Sequence, residues 1–297
     1  MSLLHAVSAL WRDPPPALAF ELSEAGIAMA RTGKPPEFDF RPLDPGIISV
    51  SPLRDNILDP EKFASAVRAL VPQNGSRRRR NAALILPDAC ARVWVLDFDD
   101  FPSDTEEQRS LVQFRLKKSV PYDVESAALS YYPQEPAGKK KKYDVVVAVA
   151  PMEIVSRYEA PFRALALEPG YVTTSALAAL DLVNETGTLA VAKLSGRMLT
   201  ILVVSSGVLK LVRSLELSDP GVAEIAGDLY PTLVYIEDQL GAKAEKLLLA
   251  GFGRFGVEAR DQFTRELQLP VELIHARLGV AGDHNLGLLG YLQSFIA

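Results

Sequence analysis

Gly251, Gly253 and Gly256 form a G-x-G-x-x-G run that follows the apolar stretch Leu247–Ala250 and precedes a helical pattern, with Glu272 lying 21 positions after Gly251. Glycines so placed let the backbone approach a pyrophosphate at a helix N-terminus, and the later acid would bind a ribose hydroxyl. A complete dinucleotide fold needs further strand–helix units, however, and only 23 residues remain after Ile274. They read as a loop and one helix. The glycines therefore read better as a nucleotide-proximal loop or a plain tight strand-to-helix turn than as a dinucleotide-dependent enzyme. A second phosphate-loop pattern fails at Ala28–Pro35. Gly33 and Lys34 are present, but Ala28 replaces the first glycine, and Pro35 has neither a hydroxyl for magnesium nor an N–H for phosphate.

Other chemistries lack their residues. His5, His275 and His284 are scattered and no CxxC or HxxxH spacing occurs, so no metal site is read. The G-x-S-x-G elbow of serine hydrolases is missing. Cys90, the one cysteine, reads as a buried thiol and not a nucleophile; it forbids an intrachain disulfide and fits a reducing compartment.

Composition narrows the classes further. The chain has 297 residues, 48% hydrophobic and 23% charged, with room for two lobes. A net charge of −5 argues against a nucleic-acid binder. Arg77–Arg80 and Lys139–Lys142 are basic runs that read as solvated loop tips, with anionic headgroups as the other reading. No stretch reaches the roughly 18 apolar residues of a membrane span, and no cationic segment or cleavage site marks a secretory signal. Membrane association is expected to be indirect.

The elements that must position any site follow from periodicity. Residues 3–11 (Leu3, Leu4, Val7, Leu10, Trp11) have helical spacing, stopped by Pro14–Pro16. Residues 17–31 predict strand, turn, strand. Asp59 and Pro60 predict a helix start, with Phe63, Val67 and Leu70 on one face. Strands are predicted at Ala82–Leu86 and Val93–Phe98. Ser103 and Glu106 have capping-box spacing for a helix reaching about Val120, before Pro121. Strands at 128–132 and 143–150 and a helix bearing Ile154, Val155, Tyr158 and Phe162, kinked at Pro161, follow. The second half opens as the first does: strand 188–192, a turn at Lys193–Arg197, and strand 198–204. Strand 208–214, a helix over about 221–240 with a kink at Pro231, strand 246–250, helix 257–267, strand 271–274 and a last helix from about Asn285 complete the chain. Two hairpins heading two similar successions suggest a duplicated α/β lobe.

The segments NAALILP (81–87), RVWVLDF (92–98) and LVQFRLKKSVPYDVESAALSYY (111–132) resemble the PilM family, the actin-like component of type IV pilus assembly. The likeness continues through VVVAVAPMEIVSRYEAPFRALALEP (145–169), TTSALAAL (173–180), LLLAGFGRF (247–255) and LQLPVELIHA (267–276), and is most specific over residues 81–180. It implies an α/β, actin-like ATPase fold of two RNase H-like lobes with an inserted FtsA-type subdomain. The implied division is 1–102 plus 170–186 for lobe I, 103–169 for the insert and 187–297 for lobe II. It also implies a scaffold of the twitching-motility apparatus, cytoplasmic at the inner face of the bacterial inner membrane. There it would bind the N-terminal tail of a PilN-like membrane protein, with motor or platform proteins and self-association as further contacts. Phe114, Pro121, Tyr122, Leu129 and Tyr131 would line the tail groove. The cytoplasmic part of GspL, from type II secretion, is a more distant likeness; it continues into a membrane helix that is not read here.

Actin-like proteins hold ATP between the lobes on two Asp-x-Gly turns, whose glycines admit phosphate and whose aspartates position hydrated magnesium. At the first turn this chain carries Glu21-Leu22-Ser23-Glu24 and at the second Lys193-Leu194-Ser195-Gly196. The acid is lengthened, one glycine is lost, and lysine replaces an aspartate; Gly251 and Gly253 keep the late turn. The resemblance thus leaves Glu21, Ser23, Lys193, Ser195, Gly196, Gly251 and Gly253 around a degenerate nucleotide cleft. No catalytic residue, required cofactor or metal is expected, with Lys193 paired to Glu21 or Glu24. The competing reading is an ATP-binding or ATP-hydrolysing enzyme of the actin and sugar-kinase superfold, with magnesium binding impaired.

Overall fold

The computed structural model of the protein describes residues 16–72, 80–134, 142–183, 185–218 and 221–295. The helical segment 3–11 with Pro14 and Pro15, residues 77–79 of the first basic run and residues 139–141 of the second lie outside the described residues.

In chain order the first strands are β1 (Leu18–Leu22), β2 (Gly26–Arg31), β3 (Glu37–Pro42) and β4 (Arg80–Leu86). Helix α1 (Pro60–Leu70) precedes β4 and starts as its residues dictate: the Asp59 carboxylate accepts the Lys62 N–H at 3.0 Å and Pro60 takes the first turn. Strands β5 (Arg92–Phe98), β6 (Ala128–Pro133) and β7 (Tyr143–Ala150) form a small antiparallel sheet in the order β5-β7-β6, with helix α2 (Thr105–Leu116) between β5 and β6. Helix α3 (Met152–Arg163) leads to β8 (Leu167–Thr174), which joins the first sheet to give β3-β2-β1-β4-β8.

The second half repeats this plan. After the short helix α4 (Ser175–Ala179) come β9 (Thr188–Ser195), β10 (Met198–Ser205) and β11 (Val208–Glu216), an antiparallel meander. Helix α5 (Val222–Leu240), β12 (Lys246–Ala250), helix α6 (Gly256–Leu267) and β13 (Val271–Leu273) follow, and helix α7 (Leu286–Gln293) ends the described chain. The second sheet runs β11-β10-β9-β12-β13, with β9, β12 and β13 parallel as β1, β4 and β8 are in the first. The duplicated lobe expected from the hairpins is therefore present in the topology.

Several elements differ from the sequence reading. Helix α2 is capped by Asp104, not Ser103; its carboxylate accepts the Glu106 and Glu107 N–H groups at 3.0 Å. It stops at Leu116, where Ser119 N–H turns back to the Leu116 carbonyl at 2.7 Å, ahead of the extended backbone favoured before Pro121. Lys193 belongs to β9, paired opposite Thr200, and the turn narrows to Gly196 and Arg197. The small sheet takes in β5 and so begins at Arg92, ahead of residue 103. Ile154, Tyr158 and Phe162 of α3, with Leu167, pack against Phe20 and Phe63 in the first lobe's core, so residues 152–169 go with that lobe and not with the insert.

Helix α7 also leaves its lobe in sequence. Leu288, Tyr291 and Leu292 lie on Ala19, Ala28, Ala30, Ala83 and Ile85 of the first sheet, whose alanines make room for a close-packed helix. A Cβ at Gly290 would sit 2.0 Å from the Ala178 carbonyl oxygen, so α4 and α7 meet backbone to backbone. Among the described residues no helix is long and apolar enough to cross a membrane.

Candidate functional site

The two hairpin turns face one cavity of about 950 Å³ between the lobes. Its walls are the β1–β2 turn at Ser23–Ala25, the segment Pro87–Ala89 after β4, the β9–β10 turn at Ser195–Met198, and the long loop 43–58. Each turn is closed on the protein itself. The Ser23 hydroxyl donates to the Gly26 carbonyl at 3.0 Å and accepts the Gly26 N–H at 3.1 Å. The Glu24 carboxylate accepts the Val50 N–H at 2.7 Å and so pins the loop that walls the cavity. At the second turn Gly196 adopts φ +58°, a left-handed conformation in a two-residue loop. Arg197 donates through Nε to the Leu217 carbonyl at 2.9 Å and through Nη2 to the Ser218 carbonyl at 3.1 Å.

Behind these turns lies a buried polar cluster joining the lobes. Asp88 accepts the Ala176 N–H at 2.6 Å on one oxygen and meets Lys193 Nζ at 2.7 Å on the other, with the Thr200 hydroxyl donating at 3.4 Å. Glu21 accepts the Ser175 hydroxyl on one oxygen and the Leu288 N–H at 2.8 Å on the other. Each carboxylate thus satisfies an N–H in the first turn of a helix, Asp88 on α4 and Glu21 on α7. The expected partners of Lys193, Glu21 and Glu24, are both engaged elsewhere; its counter-ion is Asp88, which the sequence reading did not single out. The signal was the lone acid directly after an apolar strand and Pro87. Burial pushes the neighbouring Cys90 thiol far up, reinforced by the Asp88 charge, which suits a structural thiol.

The late glycines answer to their own chain. Gly251 has φ +74°, and a Cβ there would lie 2.1 Å from the Leu194 carbonyl oxygen. Gly253 has φ +46°, and its Cβ would lie 2.5 Å from the Asp283 carboxylate. Neither is among the residues lining the cavity. Glu272, the acid of the dinucleotide pattern, pairs with Lys246 at 3.0 Å, and α7, the next helix after β13, lies on the alanines of the first sheet. Ser23, Ser195 and Gly196 reach the cavity; Glu21 and Lys193 lie buried behind it.

ATP with magnesium needs acidic groups free to hold the hydrated ion near the turns. Here the acid of the first hairpin accepts two protein donors, and the second hairpin supplies an ammonium bound to the nearest carboxylate. Both Glu21 and Asp88 are thus engaged by the protein's own donors. Among the described residues no group of three or more His, Cys, Asp or Glu could hold a metal.

The five residues expected to receive a partner divide. Tyr122, Leu129 and Tyr131 pack on the small sheet's core; the Tyr122 hydroxyl donates to the Val149 carbonyl at 3.4 Å and that of Tyr131 to the Thr105 carbonyl at 3.1 Å. Phe114, 75% exposed, and Pro121 present surface near the end of α2. The small sheet is fastened to the second lobe: Gln134 accepts the Leu209 N–H at 2.7 Å and donates to its carbonyl at 2.8 Å, and Lys210 pairs with Asp144 at 2.5 Å.

No protein-family model and no curated protein matches the chain. Solved structures do. One, of the PilM–PilN type IV pilus biogenesis complex, matches at TM-score 0.76 and 18% identity over 95% of this chain and 99% of that one. A Bacteroides thetaiotaomicron protein with an actin-like ATPase fold and unknown function matches at TM-score 0.54 and 12% identity, covering 93% and 94%. The cytoplasmic domain of EpsL, an inner-membrane component of the type II secretion system of Vibrio cholerae, matches at 0.50 and 13%, covering 94% of each. The fold is actin-like.

Proposed function

We propose that this protein is a scaffold of a type IV pilus inner-membrane assembly complex that captures the tail of a PilN-like membrane protein from the cytoplasmic side. The observation that carries this reading is the end-to-end likeness to a chain of the PilM–PilN complex, at TM-score 0.76. The motif-level resemblance over residues 81–180 agrees with it, and the single buried cysteine fits a reducing compartment. The tail would lie as an extended or helical peptide against the inserted subdomain, where Phe114 and Pro121 offer apolar surface.

On this reading the interlobe cleft is structural and no catalytic residue acts there. The buried Lys193–Asp88 pair and the doubly bonded Glu21 support that, because the acid of the first hairpin and the carboxylate beside the second are engaged by the protein.

The test is isothermal titration of the purified chain with a synthetic peptide of the N-terminal tail of the PilN-like protein encoded in the same genome. A parallel titration uses ATP with and without magnesium. Peptide binding with no ATP heat is the expected result. Failure of the peptide to bind would remove the scaffold reading, and magnesium-dependent ATP binding would favour an enzyme or nucleotide-switched protein of the same superfold.

A further inference from the structure

Helix α5 buries Ile225, Ala226, Leu229, Thr232 and Ile236 against the second lobe. Its opposite side is open: Ala223, Gly227, Tyr230, Pro231 and Val234 fall on one stripe at helical spacing, with Tyr230 63% and Val234 40% exposed. A solvated helix ordinarily carries charge on that side. This one places its charge around the stripe instead, Glu224 and Asp228 along one flank and Glu237 and Asp238 at its C-terminal end; the helix has no basic residue of its own, and Arg213 of β11 reaches it only at the Asp228 carbonyl, at 3.4 Å.

We propose that this face docks a cationic amphipathic segment of a partner protein. Three features select that occupant. Pro231 has no N–H to give the Gly227 carbonyl, so a backbone acceptor on the stripe lacks its helical partner. The space beside Gly227 is open, with no atom within 4 Å of a Cβ built there, so an incoming chain can approach closely. The ring of Tyr230 and the rim carboxylates both favour a cation. A second copy of α5 would set acidic rim against acidic rim, and an anionic lipid surface would meet the same repulsion. From Ala223 to Val234 the stripe spans roughly 16 Å at 1.5 Å per residue, enough for about three turns of a partner helix. This proposal uses a different lobe from the proposed tail groove and does not rest on the scaffold reading.

The test places a photo-crosslinking amino acid at Val234 of the full chain, in cells that make the protein, and maps crosslinked peptides by mass spectrometry. Val257 on α6, also exposed, is the control position. Crosslinks to a basic, apolar-patterned segment of another protein are expected, falling roughly tenfold when Glu237→Lys and Asp238→Lys are combined. Unchanged melting of that double variant would show that the fold is intact. The proposal is overturned by crosslinks to a second copy, to lipid or to an acidic segment, by none above the Val257 control, or by indifference to the charge reversal.

Discussion

The ammonium of Lys193 lies 2.7 Å from the Asp88 carboxylate, and the two side chains are 5% and 4% exposed. One belongs to β9 of the second lobe, the other to the end of β4 in the first. A buried charge pair is often no better than apolar packing, but removing one member strands the other in a buried site. The pair therefore acts as a fastening between the lobes whose cost appears when it is broken.

Lys193→Ala should destabilise the protein by about 3–5 kcal/mol in urea unfolding, because Asp88 would be left without its partner. Asp88→Asn alone should cost a similar amount, since the amide oxygen can still accept from Ala176 N–H but the Lys193 ammonium is left buried without a counter-ion. Combining Lys193→Met with Asp88→Asn should recover most of the loss. Additive single and double effects would show that the two groups do not act as a pair.

Rewriting the second turn toward Asp-x-Gly, with Lys193→Asp and Ser195→Gly, should not create an ATP site. The new carboxylate would face Asp88 in a water-poor pocket, where like charges repel strongly. Melting should fall further than for Lys193→Ala, and calorimetry with ATP and magnesium should stay flat. Magnesium-dependent binding of ATP by that double variant would mean that only these two side chains disable the cleft.

Asp181 supplies a pH test. Partial desolvation raises the carboxyl of this surface-exposed residue above 3.8, the value for an ordinary aspartate. A raised carboxyl favours the protonated folded state, so its penalty on folding is absent below the unfolded value and grows as pH rises through the folded one. Asp181→Asn should therefore raise the melting temperature at pH 7 and change it little near pH 3. An equal shift at both pH values would show that the charge is not what the substitution removes.

How far the residues foretold this arrangement depends on whether the deciding contact was local. The start of α1 was legible because Asp59 and Pro60 act on their own turn, and the hairpins because apolar runs flank turn residues. Strand β3 was missed although Glu37–Arg41 alternates polar and apolar residues, because all six of its residues are exposed and Pro35, Pro36 and Pro42 bracket it. Strand β8 was missed because Pro169 and Gly170 read as a turn, although as an edge strand it tolerates them. Lys193 looked like a turn residue because a lysine inside a buried strand needs a partner supplied from 105 positions away. Likewise, nothing in the sequence around α7 says that its partners are alanines near the other end of the chain.

The inserted subdomain offers the sharpest separation of surface from packing. Phe114 is largely exposed, so Phe114→Ser should leave stability within about 0.5 kcal/mol while weakening capture of the partner tail. Tyr131→Phe removes the hydrogen bond to the Thr105 carbonyl and should cost about 1 kcal/mol of stability with tail binding unchanged. The two variants must therefore separate, Phe114→Ser changing the peptide titration and not unfolding, Tyr131→Phe changing unfolding and not the peptide titration. If Phe114→Ser destabilises and leaves binding intact, Phe114 is packing and the tail lies elsewhere. If Tyr131→Phe abolishes binding without a change in stability, the groove reaches further under the small sheet than the exposure of its residues indicates.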